Sequence, residues 1–526
     1  MILSNRIMKL ETLNQSQFGC LSGLLTLDCL LLLREAILEG RYITKGKMGG
    51  KHQRLLAAFL DFKSAFDHVF RKLVWAKMKS RFGIRGKLLR VVMDLFTDII
   101  AKGIVNGLHT REVNISSGVL QGSVLGPVLF LLFIDDLLED LHESGDGFPI
   151  ANFVLSVLAY ADDITLLSLS TKKLQKLLDI CAAWAMKNEM SFSLKKCLVV
   201  VYNSKSKKVS ELPVLRLGEH KLRSSYPDET TEVHLGVNIT NRVAGTKLEI
   251  DTKIPKEVVP SYRSSPNPKH LTQLKSKFHR ARLATFHLCE ENTILSPIIS
   301  NRLYKTLQRS VLLYAMEICD WDIVQVQDLE KLQAKSLRSL YDLDRQCPKA
   351  IVRLVTGVEP LEARMDLHVL LFYAKICNAT PNTFMGKLHL HRTYSSNNPP
   401  IGFYSTVKRI LYKYNISRFW NNFPNVDHDH LKAILKQHIW LKHWKQDLET
   451  ALRNKSPFGT GFLHDIRPPK YPYKAHALVK ALNPVTFPRS NLSNVLRFWT
   501  SPHRERICFC GQRTLILHFI IFLGAP

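Results

Sequence analysis

Long apolar runs, paired cysteines and acidic charge are all scarce in this sequence. CLLLLREAIL and LILHFIIFLG are each too short to cross a bilayer. The opening MILSNRIMKLETLNQSQ has no continuous apolar core, so it is not expected to be a secretory signal. The ten cysteines are scattered singly apart from Cys508 and Cys510. That spacing argues against a disulfide framework and for a reducing compartment. The expectation is a soluble intracellular protein with no membrane partner, nucleus and cytoplasm not distinguished. Acidic residues number 45 against 73 Lys and Arg, a formal net charge of +28. Such an excess favours a polyanionic partner, nucleic acid ahead of an anionic membrane. With 526 residues, 46% of them hydrophobic, the chain can fill two or more cores.

Periodicity places the main elements. Leu24 to Leu38 is leucine-rich and free of Gly and Pro, and reads as a helix. RLLAAFLDF, Arg54 to Phe62, reads as a buried strand ending in an aspartate. In HVFRKLVWAKMKSRFGI, Val69, Leu73, Val74 and Met78 recur at about one turn and predict a helix. Phe153 to Leu169 is apolar on both sides of Asp162 and Asp163, which fits a hairpin with carboxylates at its turn. Ser170 or Thr171 then caps a helix with Leu174, Leu177, Leu178, Cys181 and Trp184 on one face. Strand, helix, hairpin and helix imply a sheet layer covered by helices. Breaks are expected at Val258 to His270 and Tyr394 to Gly402. Between them the chain turns helical, in HLTQLKSKFHRARLATFHL with Lys275, Lys277, Arg280 and Arg282, in RLYKTLQRSVLLYAMEI and in LEKLQAKSLRSLYDL. The last part is basic, with Trp440, Trp444, Lys442 and Lys445 clustered.

The carboxylate pair invites two explanations. An exposed turn solvates both charges, and Asp is common there. Buried together, they repel each other and lose hydration, unless a divalent cation neutralises them. Mg²⁺ suits such a site, since it binds a few carboxylates plus substrate phosphates. Asp61 can supply a third carboxylate if its strand pairs beside the hairpin. Asp67 is expected to N-cap the following helix. In SSGVLQGSVLGPVLFLLFIDDLL, Gly118, Gly122, Gly126 and Pro127 mark a loop, and Val128 to Leu138 an apolar helix with Pro127 near its first turn. The loop is either a structural turn or a surface on which a nucleotide or template base can lie.

FLDFKSAFD, SGVLQGSVLGPVLF and AYADDI occur in the order and approximate spacing of motifs in the reverse transcriptases of non-LTR (LINE-type) retrotransposons, and the chain resembles that family. The resemblance continues in LDICAAWAMKNEMSFSLKKCLVV, where Trp184 and Lys196 match while Ser193 and Cys197 replace Asn and Thr. It continues in HLGV, where His234 stands for the usual Tyr or Phe of the primer grip. The implied fold is α+β. A right-hand palm, an antiparallel sheet with helices behind, is joined by partial fingers, an all-α thumb and a helical C-terminal region. The corresponding segments are 1–50 for residual fingers, 51–245 for the palm, 265–390 for the thumb-like region and 400–526 for the basic C-terminal region. The implied activity is RNA-directed DNA polymerisation, with an RNA template, a DNA primer and target, and deoxynucleoside triphosphates as partners. Asp61, Asp162 and Asp163 would hold two Mg²⁺ ions and Lys196 would act on the pyrophosphate. Phe62, Phe66, Tyr160, Gln121 and Gly122 would line the nucleotide and template site. The helix around Lys275 to Arg282 would track a duplex backbone.

The sequence also departs from the family. Fingers strands upstream of ILSNRI are missing, as is a preceding endonuclease domain, so an N-terminally truncated member is expected. In QFGCLSGLLT, Cys20, Leu21, Leu24 and Leu25 replace Phe, Arg, Arg and Ser. At the C-terminus, Cys508, Cys510 and His518 match a zinc-knuckle-like motif but Leu523 replaces its last Cys, so zinc is not expected. The competing expectation is a catalytically inactive remnant that keeps the fold and at most binds nucleic acid.

Overall fold

The structure is a computed structural model that describes residues 2–10, 13–42, 53–204, 208–227, 234–237, 268–290, 297–319, 321, 323–341, 343–394, 402–420, 423 and 427–453. The chain divides into two compact units. The first comprises Met1–Val243 with Ile376–Ser405, the second Ala244–Lys375 with Thr406–Pro526. The break expected at Val258 falls almost wholly outside the described residues, as does the Cys508–Cys510 motif.

Unit 1 opens with helices α1 (Ile2–Leu10) and α2 (Thr26–Tyr42), strand β1 (Leu55–Leu60), and helices α3 (Arg71–Ser80) and α4 (Gly86–Asp94). Two short ribbons follow, from β2 (Ile100–Ala101), β3 (Ile104–Val105), β4 (Leu108–His109) and β5 (Val113–Asn114). Next come α5 (Gly126–Glu143), the pair β6 (Phe148–Ile150) and β7 (Phe153–Leu155), and the hairpin β8 (Val157–Tyr160) and β9 (Asp163–Ser168). Helix α6 (Thr171–Lys187), β10 (Leu198–Tyr202), β11 (Arg216–Leu217), β12 (His220–Lys221) and β13 (Arg223–Ser225) complete its main body.

The central sheet has the order β13-β10-β1-β9-β8. β1 pairs antiparallel with β10 and β9, and β9 with β8, while edge strand β13 runs parallel to β10. β1 is apolar throughout because it is central and covered on both faces. Leu56, Ala58 and Leu60 join the same core as Leu129, Phe133 and Leu137 of α5 and Leu174, Leu178 and Trp184 of α6. Helix α6 starts as its sequence predicts. Ser170 is the N-cap and its hydroxyl accepts the Lys173 N–H at 3.3 Å, while the predicted apolar face is buried.

Helix α5 is apolar on nearly all sides and accordingly internal. Its two mid-helix aspartates are matched by donors. Asp135 pairs with Arg81 at 2.7 Å and accepts the Asn14 N–H at 2.7 Å. Asp136 pairs with Lys77 at 2.8 Å and accepts the Trp184 Nε1–H at 2.9 Å.

The helix expected to begin near Asp67 begins later, at Arg71 with Phe70 as N-cap, so Asp67 is not its cap. Residues 63–68 form turns instead, with Ser64 at φ +46° and the Asp67 N–H bonded to Ser64 O at 3.0 Å.

The second unit is helical. α7 (Pro268–Glu290), α8 (Pro297–Leu303), a π-helical turn (Tyr304–Gln308), α9 (Arg309–Leu312), α10 (Ile323–Leu340) and α11 (Lys349–Thr356) are followed by α12 (Leu361–Cys377). α13 (Phe384–Tyr394) belongs to unit 1, where Phe384 stacks on Phe153 and Arg392 pairs with Glu35 at 3.0 Å and Glu39 at 2.6 Å. α14 (Gly402–Lys413) and α15 (His428–Arg453) follow. The unit 2 core gathers Leu274, Phe278, Tyr304, Leu329, Leu337, Ile351 and Trp444. The helix expected through LLYAMEI stops at Leu312. Beyond it Ala315 takes φ +57°, and Leu313, Met316 and Trp321 are buried from a turn. Among the described residues, no helix is long and apolar enough to cross a membrane.

Candidate active site

Sheet register brings the acidic residues together. Phe59 is opposite Thr165 and Leu60 opposite Ile164. One further step sets Asp61 opposite Asp163, on the same face of the sheet. On the other flank Leu55 is opposite Tyr202 and Phe59 opposite Leu198. Beyond Leu198 that register breaks, because Phe62 bridges Phe192 and residues 194–196 form a turn. The turn brings Lys196 Nζ to 2.8 Å from Asp61 Oδ2. The turn carrying Lys196 is tied to the strand end, since Ser193 N–H donates to Asp61 O at 2.7 Å and Lys196 N–H to Ser193 O at 2.8 Å.

Asp162 and Asp163 sit at the tight connection of β8 and β9, where Tyr160 is opposite Asp163. Ala161 takes φ +56°, as the first residue of a two-residue type II′ connection does. A second segment braces this turn. Phe18 N–H donates to Ala159 O at 2.8 Å and Ala159 N–H to Ser16 O at 2.9 Å. Between them, buried Gln17 accepts the Ala161 N–H at 2.9 Å and the Gly19 N–H at 2.8 Å through Oε1. Gly19 fits because a Cβ there would stand 2.3 Å from the Ala161 nitrogen. Gln17 is therefore a positioning residue that the sequence reading passed over. Its partner lies 144 residues away, and only the start of the QFG segment signals it.

The electrostatics fit a site short of positive charge. Burial, then the charges of Asp162 and Asp61, push the Asp163 carboxyl up to about 6, against the opposing pull of Lys196. Burial and the Asp61 charge also raise Asp162, opposed by a backbone hydrogen bond and Lys196. Lys196 is raised by its contact with Asp61. Asp61 Oδ2 is buried and, although Lys196 stands beside it, accepts no hydrogen bond of regular geometry. Among the described residues, no group of three or more His, Cys, Asp or Glu side chains is placed to hold a metal ion.

The other predicted site residues divide. Tyr160 is half-buried at the end of β8. Phe62 is buried and stacks on Phe192 at 4.4 Å, so its ring is part of the packing that holds Asp61. Phe66 is half-buried against Phe130 at 4.9 Å, and its carbonyl accepts the Val119 N–H at 2.8 Å. Gln121 and Gly122 are exposed on the loop that follows, with Gly122 at φ +91°, a conformation that favours glycine. His234 packs at a tilt against Phe59, ring centroids 4.9 Å apart, and burial pushes its pKa down to about 4.

Arg71 anchors that loop. Its guanidinium donates to the carbonyls of Gly118 at 2.7 Å, Phe96 at 2.8 Å, Ile115 at 3.0 Å and Ser117 at 3.1 Å. The sequence offers no sign of this role, since Arg71 is one of four cations in the ten residues of α3.

Residues 1–238 match the family model described as reverse transcriptase (RNA-dependent DNA polymerase). That segment, somewhat less than half of the chain and of mixed α/β fold, is similar to reverse transcriptase domains. Its relatives are of the non-LTR retrotransposon kind. The RNA-directed DNA polymerase from mobile element jockey of Drosophila funebris is 26% identical over 333 residues, 59% of this chain and 32% of that protein. The retrovirus-related Pol polyprotein from type-1 retrotransposable element R2 of Popillia japonica is 29% identical over 166 residues, 31% of this chain and 27% of that protein. The chain thus spans about a third or less of these curated relatives. Among solved structures, telomerase from Candida albicans in complex with a fragment of telomeric RNA aligns at TM-score 0.35 and 13% identity, over 81% of this chain and 56% of that one.

Proposed function

We propose that the chain is an RNA-directed DNA polymerase of a non-LTR retroelement. It extends a DNA primer on an RNA template from deoxynucleoside triphosphates. In this reading unit 1 supplies a palm and residual fingers, and helices α7 to α12 act as a thumb. The observation that carries the reading is the convergence of Asp61, Asp162 and Asp163 at one end of the central sheet, with too little positive charge nearby to balance them. These three carboxylates would hold two Mg²⁺ ions, which when bound activate the primer 3′-hydroxyl and offset charge on the departing pyrophosphate.

The chain's own residues do the positioning. Gln17 and Gly19 fix the hairpin turn, Arg71 fixes the loop bearing Gln121 and Gly122, and that loop offers its backbone to the template and nucleotide. Phe66, tied to the same loop through Val119, lies under the sugar and disfavours a 2′-hydroxyl. Lys196 is largely exposed and so is free to leave Asp61 and donate a proton to the pyrophosphate. Most of the catalysis is position and charge neutralisation.

The test is primer extension by the full chain with Mg²⁺ on RNA templates of several sequences. Extension that Asp162→Ala abolishes supports the reading. No extension by the unmutated chain across templates and salt concentrations refutes it and leaves an inactive remnant.

A further inference from the structure

The helical unit holds its own concentration of charge, positive in sign and remote in sequence from the aspartates. Glu359 lies at its base with a side chain only 2% exposed. Arg309 Nη1 stands 3.0 Å from Glu359 Oε1, and Arg364 contacts the same oxygen. Two guanidinium groups therefore share one carboxylate. Glu330 and Asp447 share one cation, Arg353, and so leave a single negative charge beside the cluster.

Three lysines add to it. Lys305 comes from the π-helical turn Tyr304–Gln308, a rare geometry found disproportionately at functional sites. Lys432 and Lys436 come from α15. Among the described residues, none of the three has a carboxylate within ion-pair distance, and all are half-buried. Burial, then the positive charges of Arg309, Arg364 and Lys436, make Lys305 hold its proton less tightly despite Glu359. Burial, then Arg364 and Lys432, do the same for Lys436. Five cations thus face Glu359 and that one further negative charge.

Trp440 completes the cluster. Lys436 Nζ lies 4.8 Å and the Arg364 guanidinium carbon 5.2 Å from its ring centroid. The indole Nε1–H is buried and donates to no acceptor among the described residues. A solvated basic face would keep its cations apart in water and bury no orphaned donor. Here Arg309 and Arg364 are each 12% exposed. Unbalanced buried charge beside an unmet N–H is costly unless an anion with several acceptor oxygens enters.

We propose that Lys305, Arg309, Arg364, Lys436 and the Trp440 indole N–H form a pocket for a phosphate group, and that the phosphate it takes belongs to a nucleic-acid backbone. The ring of Trp440 is engaged by cations and not open to a stacked base, so the contact is independent of sequence. The choice of a nucleic acid rests on the polymerase reading and deepens it.

The experiment measures binding of the full chain to labelled RNA–DNA duplexes of two unrelated sequences across a range of KCl. Lys305→Ala/Lys436→Ala should weaken binding to both sequences by roughly tenfold or more near 0.1 M salt. It should also flatten the log–log salt dependence by about 1, the loss of one phosphate contact. Lys335→Ala, at an exposed position of α10, should leave both quantities unchanged. Thermal stability of the double variant should equal or exceed the parent's, because it removes mutually repelling charges, and Lys436→Arg should preserve the salt slope. Affinity and slope unchanged in the double variant overturn the pocket while leaving the polymerase reading intact. An effect confined to one sequence overturns a backbone contact. If inorganic pyrophosphate binding is lost in the double variant while duplex binding is not, the site serves a free anion and the assignment fails. A parent chain that neither binds duplex nor extends primers overturns both readings.

Discussion

Replacing Gln17 by methionine tests the bracing of the candidate site most directly. The side chains are similar in length, but methionine offers no amide oxygen. Two buried N–H groups, of Ala161 and Gly19, then lose their shared acceptor. A buried donor left unmet costs about 1–3 kcal/mol. Partial relaxation of the turn recovers some of this, so about 2 kcal/mol is expected for the pair. That corresponds to roughly 30-fold in a local opening equilibrium. The readout is hydrogen exchange at the Phe18 and Ala159 amides, which bond to other atoms and keep their partners in the variant. Both should exchange about 30-fold faster than in the parent chain. Because the turn carries Asp162 and Asp163, the rate of primer extension should fall at least tenfold while duplex affinity stays the same. Exchange within threefold of the parent, together with undiminished extension, would show that Gln17 does not hold the hairpin.

Two further outcomes follow from buried polar groups. Arg71→Met removes the donor from four backbone carbonyls and should loosen the loop by about 3 kcal/mol, seen as exchange on the order of 100-fold faster at the Gly118 and Val119 amides, with Arg71→Lys intermediate; unchanged protection refutes the anchoring. His270 is fully buried, and burial pushes its pKa down from 6.5 to about 4. The unfolded chain therefore binds a proton that the folded one refuses. Stability of the helical unit is complete above pH 6.5 and is lost as pH falls toward 4, by about 2 kcal/mol at pH 4.5. Denaturant midpoints of the parent and His270→Leu should diverge between pH 7 and 4.5 by that amount; a constant difference contradicts it.

The parts of the fold legible in the sequence are those where local pattern and tertiary demand coincide. β1 reads as a buried strand because it is central and needs apolar residues on both faces. α6 reads correctly because Ser170 caps it and its apolar face has helical spacing. Asp67 misleads because a good capping residue precedes a helix that starts four residues later, after a turn with Ser64 at positive φ. LLYAMEI misleads because its apolar residues are buried from a turn, which helical spacing cannot distinguish from a helix face. Gln17, Arg71 and the Glu359 cluster leave little local trace, since each depends on a partner far along the chain, Ala161 for Gln17, Ile115 for Arg71 and Arg309 for Glu359. Lys196 is suggested only by family resemblance, and its contact with Asp61 comes from the turn that Ser193 ties to the strand end.

Two Asp-Asp pairs in apolar surroundings lie within one core, and the contrast between them bears on what the second is for. Asp135 and Asp136 on α5 are met by Arg81, Lys77, the Trp184 indole and the Asn14 amide. The fold thus demonstrates how it neutralises such a pair when the pair is structural. Asp162 and Asp163 have the same chemistry but different company. Asp61 adds a third negative charge, and the nearby cation is Lys196, whose side chain is 69% exposed and so offsets little of it. Gln17 and Gly19 moreover hold the unbalanced pair in place and prevent it from swinging out to solvent. In the polymerase reading proposed above, buried hydrogen bonds that hold repelling carboxylates together suit a site whose balancing positive charge arrives with the substrate.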